Sequence, residues 1–436
     1  MKFLESVRVP WILGLVISAF LGVGVSYSKF YIVHPFLLTA PVFLLFMLLH
    51  SSFKEFMKTY WGAIFWAAYF ILSISWSENR KAASLYAVMV VMGVLIVVST
   101  SVMKDQLPKI LKILGWLTII SLGLGLLEAF TPFRYPISKF SPLAGFFNKS
   151  IVQDDLSEPY PTAFFWTTNN FCFVLLVALP FFTLLRKRWQ ELMILTLTTL
   201  LVLKCSSRGV LALLSVYILI RGASFILKGY QVKKIFLVLS SILIIFIPLS
   251  YFSLSHDNVL ELKSFGAVWK RQTAVYSSFI TGDKYDSLDR TRREVMLQET
   301  IELWKDHKLF GAGGGQLAGK TTIFKSKSLD LSTPHHYWAE LLAFGGIFFV
   351  SILMTWFIFL FKKLGEVSSE LSTPARTSFV LFILGAPACS TLVYFFPAWL
   401  FLGLIALIAS KANFSFRNKE QNETNLGNDP YSNVAN

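Results

Sequence analysis

Twelve stretches of about fifteen to twenty-six mostly apolar residues constrain this chain more than any other feature of its sequence. They lie at roughly 11–28, 31–50, 60–76, 83–102, 111–130, 163–185, 190–204, 209–228, 234–252, 336–361, 376–395 and 397–411. About 20 such residues in a helix cross the hydrocarbon core of a bilayer. In lipid only helices and closed barrels satisfy their own backbone polar groups, and runs this long without two-residue alternation read as helices. The composition agrees. Of 436 residues, 55% are apolar and 15% charged, against about 25% charged in soluble domains. That excludes a soluble multidomain enzyme, a disordered chain and an ordinary nucleic-acid binder. The expected fold is an all-α polytopic membrane protein of about 12 transmembrane helices with a large helical loop on the outer side. It divides into helices one to nine (1–252), the large loop (253–335), helices ten to twelve (336–411) and a polar, Asn-rich disordered tail (412–436).

The basic residues set the expected sidedness. With the N-terminus inside, the short inner segments hold 19 Lys and Arg and the short outer ones hold 8. Positive charge stays on the cytoplasmic side, and long loops do not count. Both termini are therefore expected in the cytoplasm. The net charge of +15 then belongs to loops, with no nucleic-acid partner implied. Lys2 and the short run after it resemble a secretion signal weakly, but Glu5 and Arg8 sit close to that run, so it is read as a retained first helix. Cys172, Cys205 and Cys389 are widely spaced in the sequence and read as small apolar residues.

Two outer segments exceed simple turns. Residues 131–162 carry five prolines and the acidic group Asp154, Asp155 and Glu158. Residues 253–335 contain an amphipathic stretch over about 290–308, with Leu297, Ile301 and Trp304 at helical spacing. A helix on or near the outer membrane surface is expected there.

Chemistry concentrates in three places. In the large loop, Arg290, Arg292 and Arg293 open the amphipathic stretch, GAGGG (311–315) closes it, and His335 and His336 stand at the mouth of the tenth span. Arg carries a permanent charge on a planar donor fork that matches phosphate. A glycine-rich turn lets amide groups such as those of Gly313 and Gly315 approach an anion, or else forms a plain helix cap. A His near the surface takes a proton at neutral pH, or else anchors a helix end. Second, Ser206, Ser207, Arg208 and Gly209 open the eighth span, placing a cation beside a helix N-terminus, a natural anion site; the alternative is an Arg snorkelling to headgroups. Third, Asn169 and Asn170 open the sixth span, where buried amides glue helices or line a cavity. Glu128 and Glu340, each near the outer end of a span, are expected to pair between helices or to hold a sugar hydroxyl. Arg221 is given no role.

In this order the stretches resemble the O-antigen ligase and polymerase superfamily. FFWTTNN (164–170) is similar to the family's Asn-Pro-Asn opening of a span, with Thr168 at the Pro position. Ser207, Arg208 and Gly209 match its Ser-Arg-Gly. Counting back about eighteen residues from Gly311 selects Arg293 as its loop Arg, and Gly311, Gly313 and Gly315 match its Gly-x-Gly-x-Gly turn. Counting back from Gly346 selects His335 as its His, which puts His336 at the family's Asn position and Ala339 at its Leu.

The resemblance implies glycosyl transfer at the outer leaflet of the bacterial inner membrane. The implied donor is a glycan on undecaprenyl pyrophosphate, and the acceptor is a sugar hydroxyl on another lipid-linked repeat (polymerase) or on lipid A core (ligase). Arg208 and Arg293 would steady the departing pyrophosphate and His335 would act as base. Arg290, Arg292, His336, Gly313, Gly315, Asn170, Ser207 and Glu340 would line the substrate site. No cofactor or metal is expected, and the transfer would invert the sugar carbon. A chain-length regulator and a flippase are further expected partners. The reading from another class is a multi-span transporter or lipid-glycan flippase, set against which the sequence has no internal repeat. A non-catalytic scaffold of a polysaccharide export complex is a third.

Overall fold

A computed structural model describes residues 2–21, 53–101, 106–135, 160–165, 167–184, 188–205, 207–227, 292–317, 336–389 and 392–410. The expected spans at 31–50 and 234–252, most of the loop at 131–162 and the tail after 410 lie outside them. Among the described residues 82% are helical and none is in a strand. We number the helices α1 Lys2–Leu21, α2 Phe53–Ser73, α3 Arg80–Ser99, α4 Leu107–Phe130, α5 Thr168–Ala178, α6 Arg188–Lys204, α7 Arg208–Leu227, α8 Arg292–Asp306, α9 Tyr337–Gly365, α10 Ser369–Gly385 and α11 Phe396–Ala409. Three of them, α3, α4 and α9, are long and apolar enough to cross a membrane.

Boundaries differ from the expected ones where local chemistry intervenes. The span expected from 163 begins as a helix only at Thr168, because 160–165 is extended and turned. Thr167 caps α5, its hydroxyl accepting from the Asn170 amide at 3.3 Å. After Ala178 the chain tightens into a 3₁₀ turn, Leu179–Leu184. Pro180 has no N–H to give the Leu176 carbonyl, so the α ladder cannot continue regularly. The span expected over 376–395 stops at Gly385, followed by a 3₁₀ turn through Pro387.

The core sits around α11. All fourteen of its residues are buried. Fourteen residues rise only about 21 Å, yet a helix that is apolar all round belongs inside a bundle. Small residues bring its neighbours close. Gly93 of α3 faces the Trp399 indole with no room for a Cβ, and the Thr100 hydroxyl donates to the Gly403 carbonyl at 2.9 Å. Gly62 of α2 receives Trp356 of α9 in the same way, and the indole N–H of Trp356 donates to the Thr59 carbonyl at 2.8 Å. Gly93→Ile is expected to cost about 1–3 kcal/mol by overpacking, read as a lower melting temperature of the detergent-purified protein.

Helix α9 is broken. Gly346 has φ +69° and ψ 177°, a conformation that frees the carbonyls before it and the amides after it. The turn after α8 fills the gap. Ala312 and Gly313 donate their amides to the carbonyls of Ala343 (2.9 Å) and Phe344 (3.0 Å). In return, Ile347 and Phe348 donate to the carbonyls of Lys308 (3.0 Å) and Leu309 (3.1 Å). The Tyr69 hydroxyl of α2 reaches the remaining carbonyls, Phe310 at 2.8 Å and Gly345 at 2.7 Å. Trp76 covers Gly311 O at 3.3 Å. Every carbonyl from Lys308 to Gly311 thus has a partner, which is the condition for irregular backbone inside an apolar bundle. We refer to this exchange as the splice.

The buried stripe of α8 is offset by one position from the expected one: Met296, Thr300 and Leu303 are buried and Ile301 is 39% exposed, while Trp304 stays partly buried against the core. Thr300 is admitted because its hydroxyl bonds back to the Met296 carbonyl at 2.6 Å, so no polar atom is left bare.

Candidate functional site

The splice carries the glycine-rich turn onto the α2–α3 connection. Gly313, with φ +86°, lies against Ser77; Gly314 lies against the Tyr86 ring and Gly315 against the Ala82 carbonyl. Gln316 locks the arrangement. Its amide accepts from the Asn79 N–H (2.9 Å) and donates to the Asn79 and Gly314 carbonyls (3.1 and 2.9 Å). The sequence offers these glycines as an anion site or as a plain helix cap. In the structure the amides of Gly311, Ala312 and Gly313 already donate to the carbonyls of His307, Ala343 and Phe344. For Gly313 the amide is therefore engaged in holding α9, and Gly315 is packed at a positive φ of +69°.

Directly beside the splice is Glu340. It lies one turn into α9 with no exposed surface, and it accepts a hydrogen bond from the Tyr86 hydroxyl of α3 at 3.0 Å. The Tyr86 ring meets Phe344 edge-on at 5.2 Å. Glu340 thus ties the mouth of α9 to α3.

His336 caps α9. Its Nδ1 accepts from the Ala339 amide at 3.3 Å. That bond needs a lone pair on Nδ1, which puts the proton of the neutral ring on Nε2. Half-burial also holds the imidazole below its ordinary value of 6.5. Both effects favour a neutral ring whose only basic nitrogen is occupied. A group with a folded pKa below its unfolded one loses stability as pH falls through that interval. The wild type is therefore expected to lose more melting temperature than His336→Asn between pH 7.5 and 5, because Asn caps without titrating.

A second cluster joins the other two motifs. The Ser207 hydroxyl, just before α7, donates to the Asn169 side-chain carbonyl in the first turn of α5 at 2.9 Å. Asn170 beside it is 8% exposed, and its Oδ1 has no hydrogen-bond partner among the described residues. Glu128, at the end of α4 and 1% exposed, accepts from the backbone amides of Tyr135 (2.8 Å), Thr162 (2.6 Å) and Ala163 (2.7 Å). It pairs with backbone, where a side chain of another helix was expected. It also holds Ala163 at φ +48°, a rare conformation for a residue with a Cβ. In the turn before α11, Phe395 packs on Phe165 and Phe173 beside this cluster.

Arg208 is the first residue of α7, and Arg292 and Arg293 are the first two of α8. The positions of their side chains, like Arg290 and His335 altogether, lie outside the described residues. Arg221 is paired with Glu191 of α6, with Nε at 3.1 Å from the carboxylate. Two features went unread in the sequence: Gln316 and Tyr86.

No protein-family model matches this sequence, and no curated protein matches it.

Proposed function

We propose that the chain is a glycosyltransferase of the bacterial inner membrane, with both termini in the cytoplasm and its site on the outer face. It moves a glycan from undecaprenyl pyrophosphate to the hydroxyl of another lipid-linked sugar, as a surface-polysaccharide polymerase. The observation that carries this reading is the Ser207–Asn169 bond, which joins two of the motif stretches at the openings of α5 and α7. The third, GAGGG, is spliced into α9 within three turns of its cap His336.

The chemistry follows from the residue types. As the bond between sugar carbon and phosphate oxygen breaks, negative charge grows on the departing diphosphate. Arg208 and Arg293 stabilise that charge. The acceptor oxygen attacks the sugar carbon from the opposite face, and His335 takes its proton. His336, with Nδ1 held by its cap, leaves that role to His335. Arg290 and Arg292 add positive charge to the same approach. The break in α9 also bears on the transporter reading, since broken helices mark transport sites. Here the break is filled by paired backbone, which favours a fixed scaffold over a moving half-helix.

The test is reconstitution of the purified chain in liposomes with a defined undecaprenyl-diphosphate repeat, with and without chelator. Chain growth that persists with chelator supports the proposal. Transfer only to lipid A core assigns a ligase. Movement of the lipid-linked repeat across the bilayer without growth assigns a flippase.

A further inference from the structure

A buried amide carbonyl without a partner calls for an explanation, and a substrate group that completes it is one. Asn170 is such a group: 8% exposed, with Oδ1 unpartnered among the described residues. Its backbone N–H is already taken by Thr167, so the local cap does not need the side chain. First-turn side chains lean toward the N-terminal end of their helix. Asn170 therefore leans toward the opening of α5, where Asn169 holds Ser207, the residue before Arg208. In the function proposed above, Arg208 meets the diphosphate of the donor. The first sugar is bonded directly to that diphosphate, so a polar atom beside this junction meets the sugar.

We infer that the side-chain carbonyl of Asn170 accepts a hydrogen bond from a hydroxyl or acetamido N–H on the first sugar of the lipid-linked donor, and so sets donor specificity. This rests on the donor reading of the preceding section. A site that hydrogen-bonds a substrate group rejects the analogue lacking it far more strongly than an apolar pocket rejects a missing methylene, because the buried partner is left bare. Glu128, at the end of α4, is engaged by three backbone amides and does not compete for the sugar.

The experiment uses the full chain in liposomes and a set of undecaprenyl-diphosphate donors with the polar groups of the first sugar removed one position at a time. The wild type is expected to lose about 100-fold or more in kcat/KM for one of these donors. Asn170→Leu and Asn170→Ala are expected to treat that donor and the parent alike. Unliganded Asn170→Leu should melt at or above the wild-type temperature, since it removes an unsatisfied polar atom; a structural asparagine would lower it. The inference is overturned if both variants keep the wild-type selectivity, or if Asn170→Leu melts well below the wild type. A wild type that extends no donor at all overturns the glycosyltransferase reading, and the inference with it. An active wild type with unchanged selectivity in the variants overturns the inference alone.

Discussion

In the function proposed, His335→Ala is expected to lower glycan elongation by about 10²–10⁴-fold, the range for loss of a general base, while the protein accumulates and melts as the wild type does. His336→Asn is expected to lower elongation less than tenfold. The contrast follows from the cap on α9. The Nδ1 of His336 accepts from the Ala339 amide, and protonation there breaks the bond. A base must gain and release a proton in every cycle, which conflicts with that duty. Band-ladder gels of reconstituted product, beside melting curves of each variant, make the comparison. Equal loss in both variants, or a greater loss in His336→Asn, removes His335 from its role.

Gly346→Ala is expected to have the largest effect on folding. The residue sits at φ +69°, ψ 177°, a region nearly confined to glycine, where strain costs about 1–3 kcal/mol. A Cβ there also collides with the Leu309 carbonyl and the Gly311 amide, which are backbone atoms and cannot step aside. Relief requires opening the splice, whose four backbone bonds contribute about 1 kcal/mol each. The sum is several kcal/mol, enough to unfold many proteins. Gly123→Ala in α4, where nothing lies within 4 Å of the added carbon, is the matched control and should be neutral or stabilising. Size-exclusion profiles and melting temperatures in detergent separate the two. A Gly346→Ala protein as stable as Gly123→Ala means that the break in α9 is not what the chain adopts.

The helices were largely legible because long apolar runs need only composition to be read. Phe53–Ser73, Arg80–Ser99 and Leu107–Phe130 begin within a turn or two of the expected spans. What hydropathy cannot register is a change of φ inside an apolar run, so α9 reads as one continuous helix across Gly346. A signal existed: Gly345–Gly346 and GAGGG are two glycine clusters, and glycine clusters mark close backbone approach. Their pairing is a contact between distant segments, which spacing alone does not disclose. The same holds for Tyr86, 254 residues from its partner Glu340, and for Gln316, 237 residues from Asn79. Within an apolar span a tyrosine reads as filler until the carboxylate opposite is known. Ser207 and Asn169 were picked out by residue type, but their bond comes from tertiary packing. α8 was placed well and its buried stripe offset by one position, because a buried threonine satisfied by its own helix is indistinguishable in sequence from an exposed one.

In the function proposed, Arg208 and Arg293 stabilise a departing diphosphate. The most direct measurement is single-turnover transfer in liposomes, following release of undecaprenyl diphosphate together with each new glycosidic bond. The wild type should release one diphosphate per bond. Arg208→Ala and Arg293→Ala should each slow that release by about 10²–10³-fold, as for loss of one charge-stabilising donor, at donor concentrations that saturate both. Wild-type release rates in both variants, with intact folding, would contradict the account.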